Sequence, residues 1–192
     1  SAKLSGTYQS AFLARSHFPD ARIEVLDSLQ ASLGLGLTLH LCVEKAKSGA
    51  SFDEVVLFAQ TLSEKVETYF SVDSLDHLQK GGRIGKAQAF LGTLMKVKPL
   101  LKLSNGEIHP IEKIRTTDRL LKRFAELVRE RAKDGSRIYL STGESDNGDV
   151  VTALLEQLLA IPGVSLVHRC KLGGVITSHA GPGALAITFV RM

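Results

Sequence analysis

Four short segments gather the residue types that could hold or process an anion. Lys80-Gly81-Gly82-Arg83-Ile84-Gly85-Lys86 sets three cations among three glycines. Glycines let backbone amides approach a ligand closely, and an arginine can grip a carboxylate or phosphate through two parallel hydrogen bonds. The same run also reads as the end of one helix and the start of another. It is not a P-loop, because the spacing differs and Ala87 stands where a hydroxyl would bind magnesium. Ser5-Gly6-Thr7 opens a helix whose free N–H groups and hydroxyls could receive an anion, or serve only as its cap. His179-Ala180-Gly181-Pro182-Gly183 places a histidine in a glycine-lined turn before an apolar strand, able to hydrogen-bond an anion or to act as acid or base. Arg115 lies at a helix start, where the helix dipole opposes a cation, so packing alone explains it poorly and it reads as a contact residue.

Other constellations are missing. No Gly-x-Ser-x-Gly elbow and no Gly-x-Gly-x-x-Gly after a strand occur, which speaks against a hydrolase serine and a dinucleotide site. Glu144, Asp146 and Asp149 lack the order of a calcium loop and read as a polar turn before a helix. Cys42 and Cys170 are too few for a disulfide scaffold, form no close pair for zinc, and are expected to be inert core thiols. His17, His40, His77, His109 and His168 read as structural. No cofactor and no metal are expected.

The elements that must position these residues show in the hydrophobic periodicity. Residues 51–67 are expected to form a helix, opened by a Ser51/Glu54 capping box and carrying Phe52, Val55, Val56, Ala59, Leu62 and Val66 on one face. Further helices are expected over about 116–133 and 147–160, the latter stopped by Pro162-Gly163. Asn105-Gly106 joins the runs 97–104 and 107–115 as a β-hairpin, since both residues tolerate the positive φ of a type I′ turn. Strands are expected at 137–141, 165–170 and 184–190, and another at Ile23–Leu26. The alternating leucines from Leu33 to Val43 fit a strand, yet Leu29, Leu33, Leu37 and Leu41 share a helical face, and eleven residues is long for a strand. Helix is therefore favoured.

The 192 residues allow one or two domains with a real core. No apolar run approaches the ~20 residues that cross a bilayer. Between Lys80 and Arg123 eleven basic residues face three acidic ones, while the remainder has thirteen basic and seventeen acidic. Such a field attracts an anion, whether a carboxylate, a phosphate, an acidic protein face or nucleic acid. Between residues 80 and 124 Phe90 and Phe124 are the only aromatic rings of Phe, Tyr or Trp, too few to stack bases along a strand, so nucleic acid is not expected as a partner. The element order suggests an α/β part over residues 1–70 and an α+β part over 71–192. A chain that opens on a helix with no strand before it reads as an α/β domain without its first strands.

Several segments occur in one order along the chain: Leu4-Ser5-Gly6-Thr7-Tyr8-Gln9-Ser10-Ala11, Asp27-Ser28, Ser32-Leu33-Gly34-Leu35-Gly36-Leu37, Val72-Asp73-Ser74-Leu75, Gly81 to Ala87, Lys113-Ile114-Arg115-Thr116 and His179 to Ala184. This set resembles the DegV family of bacterial fatty-acid-binding proteins, which includes the FakB subunit of fatty-acid kinase. The resemblance implies a two-domain α/β fold: a parallel-sheet domain, truncated here, followed by an α+β domain with a mostly antiparallel sheet. It also favours helix over residues 31–48. An acyl chain such as palmitate, oleate or stearate would lie in a tunnel between the domains. Its carboxylate would be held by Ser5 and Gly6 of the Leu-Ser-Gly-Thr motif and by His179, with Arg83 beside it. Arg115 would contact the ATP-binding kinase subunit that phosphorylates the carboxylate. The chain would thus be a cytoplasmic carrier rather than an enzyme, with peripheral or transient membrane contact.

Two departures stand out. The family's Thr-Thr-Ser-Gln-Pro motif has no match, and its paired serines before Leu-Ser-Gly-Thr appear here as Ser1-Ala2. Leu33, Leu35, Leu37, Phe90, Leu91, Leu94 and Met95 are candidate tunnel walls, and core packing explains them equally well. The alternative function is an enzyme acting on a small anionic substrate, with His179 as acid/base and Arg83 as anion clamp.

Overall fold

Six strands of this computed structural model, which describes residues 1–92 and 97–192, form one sheet. They are β1 (Glu67–Ser71), β2 (Lys98–Ser104), β3 (Glu107–Ile114), β4 (Ile138–Glu144), β5 (Val164–Lys171) and β6 (Leu185–Arg191), in the spatial order β3-β2-β1-β6-β4-β5. Every neighbouring pair is antiparallel except β4–β5. Parallel neighbours need a crossover, and helix α6 (Gly148–Leu159), lying between them in sequence, supplies it. The mixed α/β fold with a mostly antiparallel sheet is the one the chain adopts. Strand β1 contains the expected division at residue 70 and sits mid-sheet, between β2 and β6.

Local chemistry explains most elements. Asn105 (φ 51°) and Gly106 (φ 75°) join β2 to β3 in the left-handed conformations that a two-residue hairpin demands. In helix α3 (Phe52–Lys65), Ser51 Oγ accepts from the Glu54 N–H and Glu54 Oε2 accepts from the Ser51 N–H. Helix α2 (Ser32–Lys47) resolves the alternating leucines. Leu33, Leu37 and Leu41 are buried while Leu35, Leu39 and Val43 are exposed, so the alternation is two helical stripes on opposite sides. The Ile23–Leu26 run, expected as a strand, is irregular. It pairs with no strand among the described residues, and apolar composition without a ladder partner makes no strand.

The sheet is covered on both faces. On one, helix α5 (Thr117–Arg131) and α6 press Leu120, Phe124, Leu154 and Leu158 against Tyr69, Leu140, Ile187 and Phe189. On the other, α2 and α3 bury Leu37, Leu41 and Leu62 with Val66 and Val190. Helix α4 (Asp76–Lys80), helix α7 (Gly174–Ala180) and a 3₁₀ turn at Gly85–Phe90 join the rest of that face, around Leu101, Leu103 and Ile108. Helix α1 (Thr7–Arg15) buries none of its residues.

Beneath α5 the carboxylate of Glu67 accepts from Arg131 Nε (2.6 Å), Lys102 Nζ (2.8 Å) and the Tyr69 hydroxyl (2.9 Å). Burial pushes this carboxyl up, but the hydrogen bonds from Arg131, Lys102 and Tyr69 outweigh it and hold the group below the usual carboxylate range. A depressed carboxyl stabilises the fold fully above its unfolded pKa of about 4.3, and that contribution disappears as pH falls through the lower folded value. Glu67→Gln should cost about 1–2 kcal/mol at neutral pH. Urea unfolding measured from neutral to acid pH should then show a shallower acid loss in the variant than in the wild type.

Candidate functional site

A cavity of about 250 Å³ lies on the α2 face of the sheet. Its floor is made of residues from four adjacent strands: Thr68 and Phe70 of β1, Leu103 of β2, Ile108 of β3, and Ala184 and Ala186 at β6. On β6 the intervening Leu185, Ile187 and Phe189 fill the opposite core. Ala184 and Ala186 are short, so the space above them stays open. Ala31, Ser32 and Leu33 at the start of α2 and Leu172, Val175 and Ile176 at α7 form the roof. Gly143 of β4 seats two of these, since a Cβ there would lie 2.9 Å from Leu33 Cδ1 and 3.0 Å from Leu172 Cδ2.

Three polar residues named from the sequence, Ser5, Arg83 and His179, line this same cavity. Arg83 donates from Nε to the Leu4 carbonyl (3.0 Å) and from one terminal nitrogen to the Gly81 carbonyl (2.8 Å). An arginine has five N–H donors, so three remain without a partner among the described residues. His179 sits on the last turn of α7 rather than in the following turn. Its Nδ1 is buried and has no hydrogen-bond partner among the described residues. A buried ring nitrogen without a partner carries a desolvation cost, which a ligand that bonds to it would relieve.

The glycines around Arg83 act through space and turn geometry. A Cβ on Gly81 would lie 2.1 Å from His179 Nδ1, and one on Gly85 (φ 53°) would lie 2.8 Å from the Ile108 carbonyl oxygen. The segment therefore closes α4, lies against β3 and carries Arg83 to the cavity. Ser5 Oγ accepts from the Thr7 N–H (3.2 Å) and shares a hydrogen bond with Thr7 Oγ1 (2.8 Å). Gly6 is the N-cap residue of α1 and does not line the cavity.

Arg115 lies elsewhere. It lines a separate groove of about 310 Å³ with Lys113, Arg119, Lys122 and Arg123, tempered by Glu112 and Glu126. Of the expected tunnel walls, Leu33 lines the cavity. Leu37 belongs to the α2–α3 core, Leu35 faces outward, and Phe90 and Leu91 pack behind the cavity in its surrounding cluster. Leu94 and Met95 fall outside the described residues. The floor residues escaped sequence reading because the face a strand residue occupies follows from register, which one sequence does not reveal.

The two thiols differ from expectation. Cys42 is half-buried, but Cys170 is exposed on the edge strand β5. Burial pushes both thiols up, away from reactivity. His168 lies with Nδ1 3.3 Å from Ser141 Oγ and meets the His40 ring edge-on at 5.1 Å. Among the described residues no group of three or more His, Cys, Asp or Glu could hold a metal ion, and no helix is long and apolar enough to cross a membrane.

A family model described as "Uncharacterised protein, DegV family" matches residues 1–192. A DegV domain-containing protein of Streptomyces coelicolor is 37% identical over 188 residues, covering 97% of this chain and 66% of the relative. A protein of Thermotoga maritima named "Fatty acid-binding protein" is 35% identical over 187 residues, covering 96% of this chain and 65% of its own length. The chain thus spans slightly under two thirds of these relatives. Among solved structures, a DegV family protein of Thermus thermophilus described by its fatty acid binding superposes with a TM-score of 0.94 at 37% identity, covering 100% of this chain and 69% of that one.

Gly81→Ala should displace the His179 ring, because the added carbon cannot share the space 2.1 Å from Nδ1. The imidazole cross-peaks of His179 in a ¹H–¹³C NMR spectrum should move more than those of the other five histidines. Stability should fall by about 1–3 kcal/mol.

Proposed function

The chain belongs to the DegV family, and from that premise we propose that it binds a long-chain fatty acid, such as palmitate, oleate or stearate. The tail occupies the cavity between segments 1–70 and 71–192, and the carboxylate lies among Ser5, Arg83 and His179. The observation that carries this reading is an apolar slot lined at one place by Ser5, Arg83 and His179, whose polar groups keep bonding capacity unused among the described residues. Each exposed methylene of a fatty acid costs roughly 0.8 kcal/mol in water, which an apolar wall removes. A carboxylate drawn out of water needs charged or polar partners, and the open N–H groups of Arg83 with the His179 nitrogen, which has no partner among the described residues, supply them. The Thermotoga maritima and Thermus thermophilus relatives, both described by fatty acid binding, support the same ligand.

In the fuller form of this reading the chain is a cytoplasmic carrier. It takes up the fatty acid with transient membrane contact and presents the carboxylate to an ATP-binding kinase, which converts it to an acyl phosphate. The groove at Arg115, with Arg119 and Lys122 alongside, offers the kinase a cationic face. His179 orients the carboxylate for that transfer while the walls of the slot retain the tail.

Native mass spectrometry and denaturing extraction of the purified chain test the ligand. A recovered acyl chain supports the reading, and a chain that neither carries nor takes up fatty acid sinks it. Arg83→Ala should weaken fatty-acid binding about tenfold with the fold intact. His179→Ala should lower phosphorylation by the partner kinase by a larger factor than it lowers affinity. Equal losses in both measurements would contradict that division of labour.

A further inference from the structure

One polar residue, Thr68, interrupts the apolar floor of the cavity, and it belongs to a buried hydrogen-bonded bar. Thr68 Oγ1 donates to Gln30 Oε1 (2.8 Å) and lies 2.8 Å from Thr188 Oγ1 on the neighbouring strand. Gln30 Nε2 donates to the Val66 carbonyl (3.0 Å). All three side chains are buried, with Gln30 3% and Thr188 0% exposed. On one side of the bar lie Phe70 and Ala186 of the cavity; on the other lie Leu37, Val66 and Val190 of the α2–α3 core. An apolar side chain at this place would join two greasy regions and need no partners, so packing alone does not account for the bar.

The backbone around Gln30 is unfavourable as well. Leu29 (φ 54°) and Ser32 (φ 48°) both adopt left-handed conformations that side chains resist. Gly34 stands inside α2, where glycine weakens a helix, and a Cβ there would lie 2.3 Å from Gln30 Oε1 and 2.8 Å from Thr68 Oγ1. Three local penalties converge on holding one amide in one position.

We propose that the Gln30–Thr68–Thr188 bar is the end stop of the slot and fixes the longest acyl chain it accepts. This rests on the fatty-acid reading above. A terminal methyl reaching the bar cannot pass without stranding a buried amide and two hydroxyls, whereas a shorter chain leaves part of the slot unfilled. Affinity therefore rises about fourfold per methylene until the chain end meets the bar, and stops rising there.

The test is calorimetric titration of the 192-residue chain with saturated fatty acids from about twelve to about twenty carbons, since about 0.8 kcal/mol per buried methylene separates successive chain lengths measurably. Gln30→Ala removes the stop and should move the break to chains longer by about two or three carbons. Gly34→Ala drives the amide toward the slot and should move the break to shorter chains. Circular dichroism shows which variants are folded, and if Gln30→Ala is not, Gly34→Ala decides alone. A break at the same length in wild type and folded variants overturns the stop while leaving the fatty-acid reading intact. A wild-type chain that binds no fatty acid of any length overturns both.

Discussion

Along β6 the side chains alternate in size as well as in direction, and that alternation is the constraint on which the site depends. Leu185, Ile187 and Phe189 fill the core beneath α5 and α6, while Ala184, Ala186 and Thr188 face the other way. Close packing at the first set keeps the sheet rigid, and the shortness of the second leaves room over the same strand. A large residue at Ala186 would fill the slot from its floor, and a small one at Phe189 would hollow the core that supports it. The room in the cavity thus depends on the two faces of β6, with β1, β2 and β3 completing the floor and α2 and α7 the roof.

Much of the framework was legible in the sequence because it is set by local chemistry. Asn105-Gly106 dictates its hairpin, Ser51 and Glu54 start α3, and Pro162-Gly163 follows the end of α6. The alternating leucines of α2 were ambiguous because a helix with leucines on both its inner and outer faces imitates the period of a strand. Ile23–Leu26 misled for the opposite reason, since its composition suits a strand but none of the described strands pairs with it. The polar residues of the cavity were visible as glycines and cations in unusual company, and the ordered motifs sharpened that view. The floor was not visible. Thr68, Leu103, Ile108 and Ala186 come together only through the register of four strands, and nothing local marks them.

The polar end of the cavity departs from the rule that buried polar groups are paired. His179 Nδ1 has no partner among the described residues, while Gly81 gives up its side chain so that the ring can sit there. At Arg83 the two backbone carbonyls fix the guanidinium without neutralising it. The buried ring nitrogen costs some stability, whereas the exposed guanidinium keeps its contact with water, and both are held in place so that little rearrangement is left to a ligand. The ionic network around Glu67, by contrast, is fully paired and lies on the opposite face of the sheet. Charge that stabilises and charge that waits are kept apart by one layer of strands.

The two margins of the sheet bear on how such a molecule survives at high concentration. An open strand edge is an invitation to polymerise. Strand β3 forms one margin and carries Pro110, which removes a donor from any ladder that a newcomer would build. Strand β5 forms the other and carries Arg169 and Lys171, charges that a docking strand would have to bury. Guarded borders of this kind let a protein with an apolar slot stay in solution without recruiting its own copies into fibres.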